Sequence, residues 1–138
     1  MSPLSSALQL PTDNSRPKVQ TFNGARILKW FPPALSQQLK ALARAEGVTL
    51  YMVLLAASKT LLHRYPSDEL IAVGSAIANR NRPEVDRVIG FFANNIVLHG
   101  DLSGDPTVRE ILTRVRDTAL KAYAHQDMPF DVLVDEMS

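Results

Sequence analysis

The sequence predicts an α/β fold, and three observations carry that prediction. Leu35, Leu39, Leu42 and Ala43, and later Val108 through Tyr123, place apolar residues at helical spacing, the pattern of a helix with one face on a core. Two other runs, Glu69–Ala78 and Val88–Leu102, are continuous and rich in Val, Ile and Phe, side chains that fit a pleated, half-buried surface. Between these classes lies Leu50–Ala57, apolar on every side. A helix of that kind is surrounded by protein, so it is expected as the central helix of the core.

Taken in order, Met1–Pro17 mixes Ser, Pro, Asp, Asn and Thr and reads as a linker or surface tether. Two short strands are expected next, Lys18–Phe22 and Ala25–Trp30. Asn23-Gly24 between them is the pair that supplies the positive φ angles of a tight hairpin turn. Pro32-Pro33 ends the second strand and opens a helix over Ala34–Glu46, with Gly47 where a C-terminal cap belongs. The second helix covers Thr49–Tyr65 and is broken by Tyr65-Pro66-Ser67-Asp68.

Glu69–Ala78 lacks polar alternation, as in a strand covered on both faces. A polar, basic loop, Asn79-Arg80-Asn81-Arg82-Pro83-Glu84, leads into Val88–Leu102. Ser103-Gly104-Asp105-Pro106 makes a turn. Thr107 with Glu110 then fits a capping box for a helix whose Arg109, Arg114, Arg116 and Lys121 fall mostly on the outer face. Pro129 opens a last short helix, Phe130–Met137.

Composition narrows the function. The 138 residues carry a formal net charge of +1, 46% hydrophobic and 21% charged residues, which is ordinary for a soluble globular domain. That balance offers no electrostatic case for nucleic acid. No cysteine is present, so disulfides, thiolate nucleophiles and zinc-thiolate sites are excluded. The N-terminus shows no signal peptide, and no apolar stretch reaches the ~20 residues that span a bilayer. A cytoplasmic protein is expected.

The chemistry centres on Asn94 and Asn95, two carboxamides inside the apolar run Val88–Leu102. Neighbours in a strand point to opposite faces, so one of them should look inward. A buried carboxamide needs hydrogen-bond partners. Either it bonds the backbone of a neighbouring loop, or the pair lines a ligand channel. Asn79 and Arg80 emerge from the end of a buried strand, where α/β proteins place ligand contacts; a solvated loop is the alternative. His125, with Gln126 and Asp127, is the one histidine in a polar cluster. There is no Gly-rich phosphate loop, no His-x-x-x-His pair and no Gly-x-Ser-x-Gly elbow.

Four segments together resemble the C-terminal half of a condensation domain from a nonribosomal peptide synthetase. They are Gly47-Val-Thr-Leu-Tyr-Met-Val-Leu-Leu-Ala-Ala, Val73-Gly-Ser-Ala-Ile-Ala-Asn-Arg, Ile89-Gly-Phe-Phe-Ala-Asn-Asn and His125-Gln-Asp-Met-Pro-Phe-Asp. The resemblance implies a chloramphenicol-acetyltransferase-like sandwich, in which residues 18–138 form a partial second lobe with helices packed on a mixed β-sheet. A tunnel between two lobes would hold the active site, and this chain would supply one wall. The family joins a donor acyl or peptidyl thioester to the amine of an acceptor. Both substrates are presented on the phosphopantetheine of carrier domains, and no cofactor is bound directly.

The same resemblance makes Asn79, Arg80, Asn94, Asn95, His125, Gln126 and Asp127 the substrate-channel candidates. Its partners would be carrier domains and the N-terminal lobe. The catalytic signature His-His-x-x-x-Asp-Gly belongs to that other lobe and is missing here, so no catalytic residue is assigned and the isolated chain is expected to be inactive. Asn95 stands where the family pattern has Thr, Ala93 where it has Val, and Asp131 where it has Glu. Epimerisation and heterocyclisation domains share this lobe, so the subtype stays open. The ends suit a fragment that begins in an inter-lobe connector and stops inside a helix. A non-catalytic module that binds a carrier or partner lobe is the alternative function.

Overall fold

The computed structural model describes residues 10–15, 17–19, 21–65 and 69–137, and the chain divides into two units between Asp68 and Glu69. The first unit carries α1 (Pro33–Ala45) and α2 (Leu50–His63). The second carries β1 (Leu70–Ile77), α3 (Pro83–Asp86), β2 (Asn94–Asp101), α4 (Val108–Ala124) and α5 (Phe130–Met137).

Local chemistry sets the helix ends of the first unit. Pro33 occupies the first position of α1, where a missing N–H leaves no helical bond unmade. Gly47 closes the helix at φ 63°, a left-handed conformation that suits glycine, and the Val48 N–H returns to the Ala43 carbonyl at 2.9 Å. Two residues later the Thr49 hydroxyl accepts from the Met52 N–H at 3.2 Å and starts α2. The two helices pack on each other.

α2 departs from its expected all-round burial. Met52, Val53, Leu55, Ala56 and Lys59 are buried, but Tyr51, Leu54 and Leu61 are exposed. Burial follows helical periodicity even where composition does not, so this helix has a core face and an open face. The side chain of Lys59 is fully enclosed, and desolvation pushes its pKa down to about 8.

The expected hairpin is absent: residues 21–30 hold no helix or strand. Neither Asn23 nor Gly24 adopts positive φ; Phe22 does so instead, at 57°. Val19, Ile27 and Leu28 stay exposed and Trp30 is 92% exposed. Two short strands without a third strand or a covering helix bury too little to hold together. Of the expected tether, residues 1–9 lie outside the described residues, whereas 10–15 and 17 form exposed irregular chain. The expected break at Pro66-Ser67-Asp68 also lies outside them.

In the second unit β1 and β2 pair antiparallel, from Leu70 opposite Asp101 to Ile77 opposite Asn94. These are the only two strands among the described residues. Residues directly opposite in such a pair share a face. One face therefore carries Ile71, Val73, Ser75 and Ile77 with Gly100, Leu98, Ile96 and Asn94; the other carries Ala72, Gly74 and Ala76 with His99, Val97 and Asn95. α4 and α5 lie against β2. Ile71, Ile96 and Leu98 are buried while Ala72, Gly74 and Ala76 are exposed, so β1 is covered on one face, not on both.

α4 begins at the capping box expected from sequence: the Thr107 hydroxyl accepts from the Glu110 N–H, and the Glu110 carboxylate accepts from the Thr107 N–H at 2.7 Å. Ile111, Leu112, Val115 and Ala119 form its buried stripe. Arg114 is not simply solvated charge. Its guanidinium donates to the carbonyls of Asp101 and Ser103, each at 3.0 Å, and fastens α4 to the end of β2. Among the described residues no single helix is long and apolar enough to cross a membrane.

Candidate functional site

Asn94 opens β2 on the covered face and reaches the segment that joins α4 to α5. Its amide nitrogen donates to the Gln126 carbonyl at 2.9 Å and to the Met128 carbonyl at 2.6 Å. Its amide oxygen accepts from the Phe130 N–H at 3.2 Å. Two donors and the acceptor are thus engaged with backbone, three bonds that fix a loop with no regular ladder of its own. Asn95, one residue on, points to the other face and is exposed. Strand chemistry alone allows this pair either a loop contact or a channel lining, and the geometry gives Asn94 the loop contact.

Arg80 performs a similar task for the segment before β2. Its guanidinium donates to the carbonyls of Val85, Val88 and Gly90, the last two at 3.0 Å. The charge stands 4.4 Å from the centroid of the Phe92 ring, within cation–π range. One side chain thereby gathers three carbonyls of a loop that contains only the single turn of α3.

Asn79 precedes it with φ 50°, a left-handed conformation that asparagine tolerates better than most residues. Its amide oxygen is buried with no hydrogen-bond donor among the described residues. A buried carbonyl oxygen without a partner is uncommon in folded proteins.

The two loops touch through polar side chains. Asn81 donates to the Asp127 carboxylate at 3.2 Å, and Arg82 stands 3.8 Å from the same carboxylate. Both partners of that ion pair are largely exposed, so it orients the loops more than it stabilises them. His125 caps the C-terminus of α4, and its Nδ1 lies 2.9 Å from the Lys121 carbonyl. A carbonyl only accepts, so a hydrogen bond here has Nδ1–H as its donor. Gln126 is half-buried and contributes its carbonyl to Asn94.

Of the seven candidates, Asn94, Gln126 and Asp127 meet at one end of the sheet, joined there by Asn81 and Arg82. Arg80 shapes the adjoining loop with Asn79 immediately before it, His125 sits at the helix cap, and Asn95 lies on the opposite face. Asn81, Arg82 and Phe92 are contributors that sequence reasoning leaves inside a loop and a strand; their partners are distant in sequence. Among the described residues no group of three or more His, Asp and Glu side chains is placed to hold a metal ion.

In the second unit a two-stranded antiparallel sheet carries helices against β2 and two loops joined by side-chain hydrogen bonds at one end. The condensation-domain family model matches residues 3–138, and the chain belongs to that family. A linear gramicidin synthase from Brevibacillus parabrevis is 55% identical over 130 residues, covering 94% of this chain and 2% of that protein. A solved holo four-domain nonribosomal peptide synthetase bound to AMP and glycine superposes with a TM-score of 0.89 at 26% identity, over 93% of this chain and 10% of that one. The X-domain solved in complex with OxyB from teicoplanin biosynthesis gives 0.86 at 25% identity, over 94% and 28%. The chain spans 2–3% of the length of the curated relatives it matches first. Its α/β fold is that of condensation domains, the chloramphenicol-acetyltransferase-like class expected from sequence.

Proposed function

We propose that these residues form part of the second lobe of a nonribosomal peptide synthetase condensation domain, with residues 1–17 as its connector, acting in the cytoplasm. The domain joins a donor acyl or peptidyl thioester to the amine of an acceptor, and this chain forms one wall of the tunnel in which they meet. Both substrates arrive on the phosphopantetheine arms of carrier domains. The paired histidines of His-His-x-x-x-Asp-Gly come from residues outside these 138. What this chain does is architectural: it holds two loops in place at the end of a sheet.

The observation that carries this reading is the Asn94 carboxamide, which joins two of the four segments that resemble the family, Ile89–Asn95 and His125–Asp131. Gln126 and Asp127 lie at that junction, and contacts to the acceptor arm or the amine are assigned to them and to Asn79. Asn95 and His125 would meet substrate only from other directions. The test is amide formation on an acceptor carrier by a complete domain that contains this sequence.

A non-catalytic reading has one specific support. The X-domain to which this chain is similar is solved as a complex with OxyB. On that reading the loops bind a partner protein and no amide forms. The neighbouring coding sequence separates the two, since an adjoining His-His-x-x-x-Asp-Gly segment favours catalysis.

A further inference from the structure

Asn23 is the one asparagine in this chain that is followed by glycine. It lies in residues 21–30, which hold no helix or strand, and both it and Gly24 are exposed. Beyond its chain neighbours, no heavy atom lies within 4 Å of where a Cβ on Gly24 would stand. We propose that Asn23-Gly24 is a modification site of this chain, at which the Asn23 carboxamide cyclises onto the Gly24 nitrogen and is then hydrolysed to aspartate and isoaspartate.

The only co-reactant is water. The Gly24 amide nitrogen gives up its proton and attacks the side-chain carbonyl carbon of Asn23. A C–N bond forms there as the bond to the side-chain nitrogen breaks. Ammonia leaves with the proton, and a succinimide remains. Water then opens the ring at either carbonyl. Opening at the side-chain carbonyl restores the main chain with an aspartate; opening at the main-chain carbonyl leaves isoaspartate, with an extra methylene in the backbone. Either product carries a carboxylate in place of the neutral amide.

The structure favours this asparagine over the others. Glycine brings no Cβ to crowd the attacking nitrogen and reaches conformations closed to other residues. The tight hairpin that would hold Asn-Gly in one turn geometry does not form, since neither residue has positive φ. Asn94, by contrast, has both ends of its amide engaged with backbone, and Asn95 lies in β2 before the β-branched Ile96. The amide oxygen of Asn79 is buried, and Asn81 donates to Asp127. Asn14 is exposed as well, but Ser15 follows it and brings a Cβ.

The test is peptide mapping of the 138-residue chain after incubation at mildly alkaline pH, beside a synthetic peptide of residues 18–30. Mass spectrometry reads the exchange of amide for carboxylate, and an isoaspartate-specific methyltransferase reads the β-linked product. Asn23 is expected to convert within a few-fold of the peptide's rate and ahead of every other asparagine. Gly24→Ala should slow it several-fold, because a Cβ crowds the nitrogen, and the open space at Gly24 accommodates the added methyl.

An Asn23 that stays intact while the peptide converts would overturn the proposal. So would faster conversion at Asn14 or Asn81, or a Gly24→Ala chain that converts at the parent's rate. No turnover is read, so the result stands apart from the family reading above.

Discussion

Asn94 and Met128 lie 34 positions apart in sequence, and the side-chain amide of one meets the carbonyl of the other at 2.6 Å. With the bonds to Gln126 and Phe130, that contact turns the α4–α5 connection into a fixed part of the sheet's end. It also decides how Asn94 should respond to substitution.

Asn94→Ala should cost about 0.5–1.5 kcal/mol of stability, the net range for a typical hydrogen bond, because Met128 and Phe130 are exposed and their backbone groups can turn to water. Amide exchange should quicken at residues 126–130 and stay unchanged in α1. Asn94→Asp should be no better tolerated, because a carboxylate would face the Gln126 and Met128 carbonyls that the amide now serves. Calorimetry and peptide-resolved hydrogen exchange on the same variants check both. An unchanged melting temperature with unchanged exchange would contradict the loop-fastening role.

Lys59 gives a pH prediction with a definite sign. Its pKa is lowered from 10.5 to about 8 by burial, so between those values the unfolded chain binds a proton that the folded chain does not. Stability therefore rises as pH rises from about 8 to 10.5. Lys59→Met should flatten that rise. Urea titrations at both ends of the window, on both proteins, measure the difference; parallel curves would contradict the assignment.

Asp101 titrates in the opposite sense. The Ser103 hydroxyl and N–H, and the Arg114 guanidinium behind them, hold its carboxyl below the usual range. That contribution is present above the unfolded pKa and is lost as pH falls through the folded one. Asp101→Asn should be less sensitive to acid than the parent, as followed by the pH midpoint of acid unfolding.

Thr107→Ala removes the side chain that opens α4 and should destabilise by about 1 kcal/mol. Thr107→Ser keeps a hydroxyl and should recover most of it. A Ser variant as weak as Ala would show that the cap is not what the hydroxyl provides.

These predictions mark how far local sequence reaches. α1, α4 and α5 are legible because periodicity and caps such as Gly47 and Thr107–Glu110 are short-range signals. The opposite orientations of Asn94 and Asn95 follow from strand geometry alone. Asn23-Gly24 misleads because a turn signal does not supply the third strand that a hairpin needs, and α2 misleads because apolar composition says nothing of which side finds a partner. The bonds from Asn94 to residues 126–130 and from Asn81 to Asp127 are beyond local reading. They join segments more than 30 positions apart, and only the sheet register brings them together.

The proposed role of these residues as one wall of a condensation domain is tested most directly by amide formation itself. A complete domain containing this sequence and a His-His-x-x-x-Asp-Gly segment is mixed with loaded donor and acceptor carriers, and the acceptor is weighed intact. A dipeptidyl thioester is expected from that domain and none from the 138 residues alone, since a general base contributes about 10²–10⁴-fold and positioning of the two thioesters contributes more. A folded complete domain that leaves both loaded carriers unchanged, or turnover by the 138-residue chain above the carrier-only control, would contradict it.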